Sequence, residues 1–236
     1  MKLSAPIHQL KRRAKAISRE QGVPLHAALD GIAAAEGVSS WSLLAARHGG
    51  LSPAARLYAT LTDGDMVLIG ARPGQGKTLV ALELAIEATR AGRQAAFFSL
   101  EYTEDEARER LRRLGSMPTG FDRLFTLDCS DAISAEHIVA RMAGAQRGSL
   151  AVIDYLQLLD QRRDTPPLEE QVRVLGAFAR RSGVTLVFIS QIDRSYDPTL
   201  KPIPDLSDIR LPNPLDLGLF NRTCFLNAGE MSFATN

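Results

Sequence analysis

The spacing of apolar positions changes character near Asp65. From there on, short apolar runs alternate with longer stretches in which apolar residues recur every three or four positions. That alternation is the signature of a mainly parallel sheet covered by helices. It predicts strands over 66–70, 94–100, 124–127, 150–154, 184–190 and 219–227, and helices near 77–91, 103–114, 134–146 and 168–182. Residues 193–216 break the rhythm, because Pro198, Pro202, Pro204, Pro212 and Pro214 forbid a helix or a central strand and predict a long surface excursion.

Ahead of Asp65 the pattern is helical throughout. A basic segment from Gln9 to Glu20, a segment entered at Pro24 with Leu25, Ala28, Leu29 and Ile32 on one face, and a third around Trp41-Ser42-Leu43-Leu44 are punctuated by Gly22, Gly37 and Gly49-Gly50. The expected organisation is a small all-α module over 1–50, a linker over 51–64 and an α/β domain over 65–236. So few large side chains make a weak core, so the module is expected to lean on the next domain or another subunit, with Trp41 as its anchor.

Composition narrows the picture little. At 236 residues, 45% hydrophobic and 23% charged, the chain can bury one full core plus an appendage. A formal net charge of +1 supplies no global field for nucleic acid, so any such contact must be local. Cys129 and Cys224, far apart, suit packing in a reducing compartment, and His8, His26, His48 and His137 lack metal-ligand spacing. No run reaches the roughly 18 apolar residues of a membrane span, and the basic N-terminus leads into no signal-peptide core; a cytoplasmic protein without membrane contact is expected.

The strongest local signal is Ala71-Arg72-Pro73-Gly74-Gln75-Gly76-Lys77-Thr78, entered from the run Met66-Val67-Leu68-Ile69 and left by a helical pattern. Glycines let successive backbone N–H groups turn toward one anion, and the helix N-terminus adds positive potential. Arg72, Pro73, Gly74, Gln75, Gly76, Lys77, Thr78 and Leu79 are therefore the candidate nucleotide-binding set. Lys77 would neutralise β- and γ-phosphate oxygens, and the Thr78 hydroxyl would ligate Mg²⁺. Ala71 stands where the strict motif has glycine.

Sheets of this kind carry their chemistry at the carboxyl ends of strands. Three further runs end in useful side chains. Asp154, after Leu150-Ala151-Val152-Ile153, fits the acid on the metal side. Glu101, after Phe97-Phe98-Ser99-Leu100, is the candidate to orient and deprotonate a water, with a helix-start role as the alternative given Thr103, Glu104, Asp105 and Glu106. Gln191, after Phe188-Ile189-Ser190, could bond the γ-phosphate or that water.

Together these motifs, with Ile153-Asp154-Tyr155-Leu156-Gln157-Leu158 and Ile189-Ser190-Gln191 followed by Arg194-Ser195, resemble the RecA-like motor domain of DnaB-type replicative helicases over about 65–210. The resemblance implies a RecA-like P-loop fold, ATP with Mg²⁺, ring assembly as a homo-oligomer, and single-stranded DNA held by pore loops. By position it implies that Lys77 and Thr78 bind nucleotide and metal, Glu101 is the catalytic base, Asp154 the metal-side acid and Gln191 the sensor. It also places Arg162 and Arg163 in a DNA-facing loop, with Arg194, Lys201 and Arg210 as further candidates; solvated arginines are the alternative.

The sequence departs from that family in three places. The 4–48 module is shorter than the family's N-terminal domain and unlike it. Ser207-Asp208-Ile209-Arg210 leads into Leu211-Pro212-Asn213-Pro214 rather than an acidic stretch, and the family's Lys/Arg-bearing hairpin, source of an arginine finger contributing on the order of 10³–10⁵ in rate, finds no counterpart. Two functions are expected: an ATPase acting on or near single-stranded DNA, or a nucleotide-gated switch that binds a protein partner through 4–48. Basic Lys11, Arg12, Arg13, Lys15 and Arg19 could serve phosphates, solvent or an acidic partner.

Overall fold

The structure is a computed structural model and describes residues 3–5, 7–48, 52–114, 117–160, 165–211 and 213–236. Four helices come first: α1 (Ile7–Gln21), α2 (Leu25–Ala35), α3 (Trp41–His48) and α4 (Pro53–Tyr58). Then follow β1 (Met66–Ala71), α5 (Lys77–Arg90), β2 (Ala95–Ser99), α6 (Glu104–Arg113), α7 (Phe121–Leu124), β3 (Phe125–Asp128), α8 (Ala135–Met142), β4 (Leu150–Asp154), α9 (Leu168–Ser182), β5 (Thr185–Gln191), β6 (Arg222–Asn227) and β7 (Glu230–Thr235). The strands form one sheet in the order β3-β2-β4-β5-β1-β6-β7, parallel except for β7.

The central strands are buried on both faces, which is why they read as unbroken apolar runs. Their alternation is still visible in what each residue meets. Met66, Leu68, Ala151, Ile153, Leu186 and Phe188 join a core with α8 and α9, while Val67, Ile69, Leu150, Val152, Val187 and Ile189 join the opposite core with α5. A mixed α/β domain with a mainly parallel sheet is what the apolar pattern predicts, and the strand ends agree with it to within a few residues.

Four features differ from the sequence reading. Residues 51–64, read as a linker, hold α4, whose Ala54 and Leu57 are buried against the α5 side of the sheet; Ser52 caps it by accepting from Ala55 N at 3.0 Å. The final strand of the pattern is followed by β7, which was not anticipated because only half-buried Met231 tells of a packed face. The Pro-rich segment leaves the sheet and returns: Ile192 bridges Ile209, Arg210 N donates to Gln191 O at 2.8 Å, and Ile192, Tyr196, Ile209 and Leu215 are buried. In the helical module Leu10, Ala14, Ile32, Ala33 and Leu44 form the core, while Trp41, expected as the anchor, is only half-buried at its edge.

The module lies on the sheet's carboxyl edge. His26 Nδ1 stands 3.4 Å from Gly74 O in the loop after β1, Lys15 Nζ is 3.0 Å and Lys11 Nζ 3.5 Å from Glu230 in the β6–β7 hairpin, and Ser42 Oγ donates to Glu83 of α5.

Candidate functional site

Parallel pairing brings four strand ends to one rim. Ser99 is in register with Asp154, Gly70 with Ser190 and Ala71 with Gln191. β1 leads into residues 72–76, which turn back on themselves with Gln75 N donating to Arg72 O at 3.3 Å. Gly74 and Gly76 sit at φ 78° and 86°, a region that disfavours any side chain, and Gly76 opens α5 with its carbonyl accepting from Val80 N at 3.0 Å. The first N–H groups of α5 thus face the rim without intrahelical partners.

Lys77 and Thr78, in the first turn, are buried at 8% and 9% exposure. Asp154 is wholly buried, and neither carboxylate oxygen has a hydrogen-bond partner. Burial, then the charge of Glu101, pushes this carboxyl up to about 7, against the pull of the Thr78 hydroxyl, Lys77 and Arg110. An orphaned buried carboxylate beside a threonine hydroxyl is a site that a divalent cation would complete and keep ionised. Among the described residues no cluster of three metal-ligating His, Cys, Asp or Glu side chains occurs.

Glu101 is exposed at the same rim, its N–H donating to Ser99 Oγ at 3.1 Å. The helix-start role falls elsewhere: Thr103 caps α6 reciprocally with Glu106. Gln191 is half-buried at the end of β5. Lys201 is engaged, 2.5 Å from Asp205 and 2.7 Å from Asp208, whereas Arg194 and Arg210 are exposed on the Pro-rich segment. Arg162 and Arg163 lie outside the described residues.

A model of the family described as the DnaB-like helicase C terminal domain matches residues 49–119 and 121–213. The chain belongs to this family.

Among curated relatives, a probable plasmid replicative DNA helicase of Chlamydia trachomatis serovar L2 is 26% identical over 180 residues, covering 64% of this chain and 40% of the relative. The replicative DNA helicase DnaB of Helicobacter pylori (strain ATCC 700392 / 26695) is 30% identical over 180 residues, 62% of this chain and 36% of its own. The chain therefore spans about two fifths of the length of these helicases. Two solved structures share the fold: one described as an ATPase domain, at TM-score 0.53 and 21% identity over 70% of this chain and 69% of that one, and one of a DnaB-like replicative helicase with primase, at TM-score 0.54 and 22% identity over 69% and 47%. The helical module lies outside the matched span, apart from its last two residues.

In this DnaB-like domain the rim holds more than the sequence suggested. Tyr102 lies beside the Thr78 side chain, and Arg110 of α6 lies 4.4 Å from the centre of its ring. Gln157 Nε2 donates to Arg210 O at 2.9 Å and lies 3.4 Å from Ser190 Oγ, tying the segment after β4 to the Pro-rich return. Tyr102 and Arg110 did not stand out beforehand: Arg110 is one arginine among Arg108, Arg112 and Arg113 on α6, and only its stacking distinguishes it. Gln75 Oε1 accepts from Ala228 N at 2.8 Å, so the loop after β1 is also braced by the β6–β7 hairpin.

Proposed function

We propose that this chain is a DnaB-helicase-like ATPase that binds ATP with Mg²⁺, hydrolyses it, and acts on or near single-stranded DNA within a homo-oligomeric ring. The observation that carries this reading is the orphaned Asp154 carboxylate beside Thr78, at the mouth of an N–H-lined loop, with Glu101 on the same rim. In this reading residues 1–50 are a helical module and 65–236 the ATPase domain.

The backbone from Arg72 to Leu79 cradles the phosphates, and Lys77 neutralises the bridging and γ-oxygens. Thr78 and Asp154 would hold Mg²⁺, which would supply positive charge to offset the charge that develops on the transferred phosphoryl group. Glu101 accepts a proton from the water whose oxygen bonds to the γ-phosphorus as the β–γ bridge breaks, so that water and ATP give ADP and phosphate. Gln191 contacts the γ-phosphate or that water, and its carbonyl bond to Arg210 passes the change to the Pro-rich segment. Arg194 and Arg210, with Arg162 and Arg163, are the candidate DNA contacts.

The test pairs two variants with DNA. Lys77→Ala should abolish nucleotide binding, while Glu101→Gln should bind ATP and not turn it over; loss of binding in both would refute the assigned roles. Single-stranded DNA should stimulate turnover in a salt-sensitive way. Turnover indifferent to DNA at low salt would instead favour the nucleotide-gated switch with a protein partner on residues 4–48.

A further inference from the structure

The parallel strands that end at the rim begin at the opposite edge of the sheet, and that edge is lined with arginine. Arg93 precedes β2, Arg123 precedes β3, Arg147 precedes β4, and Arg180 and Arg181 close α9 ahead of β5; all are exposed. Close contacts knit them into one surface. Arg93 donates to Arg147 O at 2.9 Å; a Cβ on Gly148 would lie 3.2 Å from the Arg93 guanidinium carbon, and one on Gly183 would lie 2.8 Å from that of Arg147. Gly64, in the turn before β1, lies against Ala179 and Arg180. On the other side, Gln94 Oε1 accepts from Gln146 N at 3.2 Å, and Gln94 and Arg123 line a cleft of about 340 Å³ with Arg141 at the end of α8. With the strand order β3-β2-β4-β5 and strands about 4.8 Å apart, this stripe is about 14 Å long.

Acidic side chains answer only part of this charge. Asp63 lies 3.5 Å from Arg147, Asp128 takes Arg141 at 3.3 Å, and Asp122 adjoins Arg123 in the chain. Arg93 spends its bond on a carbonyl, and Arg123, Arg180 and Arg181 make no ion pair among the described residues. Cations do suit the last turn of a helix, which explains Arg180 and Arg181 at α9. It does not explain Arg93 and Arg147, which stand in loops. A protein partner would want an apolar centre, but the exposed large hydrophobic side chains, Val174, Leu200 and Phe233, lie off this edge. Guanidinium forks match phosphate oxygens, and about 14 Å accommodates about four phosphates at the roughly 3.4 Å spacing of one strand.

We propose that the amino edge of the sheet is a second nucleic-acid contact, in which Arg93, Arg123, Arg147, Arg180 and Arg181 grip the sugar–phosphate backbone without reading sequence. It lies across the sheet from Arg194 and Arg210 of the Pro-rich segment, and it rests neither on them nor on the ATPase reading. Because the contact is to backbone alone, single strand and duplex both serve.

Fluorescence anisotropy of labelled oligothymidylate and of a labelled duplex, titrated with the full chain across a salt series, reads the contact directly. Arg123→Ala with Arg181→Ala breaks no ion pair and should lower the logarithmic salt slope by about 1.4 on the single strand and about 1.8 on the duplex. Asp63→Asn frees Arg147 and should tighten binding about threefold, a gain that misfolding cannot mimic. Unchanged slopes in the arginine pair, or weaker binding by Asp63→Asn, would overturn the proposal; a slope flattened only by Arg194→Ala with Arg210→Ala would do so while leaving the Pro-rich contact standing. Polyglutamate that competes as well as oligothymidylate at equal charge would assign the edge to an acidic protein and overturn it as well. If the wild type binds neither DNA at low salt, this contact and the single-stranded DNA reading fail together.

Discussion

Glu83 offers a direct measure of how tightly module and motor are joined. It is buried on α5 and accepts a hydrogen bond from Ser42 of α3. Burial first, then the charges of Asp30 on α2 and Glu87 on α5, push its carboxyl from 4.5 up to about 8, against the pull of Arg90; Lys11, His26 and Glu230 share its cleft. A carboxyl with a raised value in the folded state binds protons that the unfolded chain has released, so between 4.5 and about 8 its contribution to stability falls as pH rises. At about 1.4 kcal/mol per pH unit, levelling off above the folded value, the loss from about pH 6 to about pH 9 is roughly 3 kcal/mol. Glu83→Gln keeps an oxygen for Ser42 and removes the titration. Urea unfolding of both proteins across that range should show the wild type losing about 3 kcal/mol relative to the variant. Two curves that stay parallel within about 0.5 kcal/mol would mean that Glu83 is hydrated or ionised at the seam, and that the module does not cover it.

Three further outcomes follow from named contacts. Arg110→Ala removes the guanidinium stacked on Tyr102 near Asp154 and should lower kcat at least tenfold while ADP affinity stays within about twofold, as isothermal titration and turnover would report; a parallel loss of ADP affinity would mean that it merely supports the loop. Gly70→Ala would place a Cβ 2.7 Å from Phe225 Cε1 and 2.9 Å from Ile209 Cδ1, so thermal unfolding should show a loss of about 1–3 kcal/mol; an unchanged midpoint would mean that the Phe225 ring yields freely. Arg194→Ala with Arg210→Ala should flatten the salt slope of single-stranded DNA binding by about 1.4, whereas Lys201→Ala should leave it alone because Asp205 and Asp208 already hold that ammonium; an equal effect of all three would place the DNA path across the Asp205 turn.

The glycine-bearing loop after β1, the carboxylates at the strand ends and most strands were legible because each depends on local order. A loop that doubles back through positive φ needs glycines at Gly74 and Gly76 whatever surrounds it, and a strand buried on both faces must be apolar along its length, so that Asp154 and Gln191 stand out where the run ends. The sequence alone determined these, along with the helical character of residues 7–48. Tertiary structure alone decided which distant groups meet. Tyr102 and Arg110 join the rim because α6 folds back beside Thr78; Glu83 loses its water because α3 covers α5; Trp41 lies at the module's edge because Leu10, Ile32 and Leu44 fill its centre. β7 is sparse in packed apolar residues, and its place is set by pairing with β6 and by Glu230 meeting Lys11 and Lys15, far away at the start of the chain. Hydrophobic periodicity reports which face of an element is buried, but not against what; the seam between the helical module and the loop after β1 is a matter of partners, and only the folded chain supplies them.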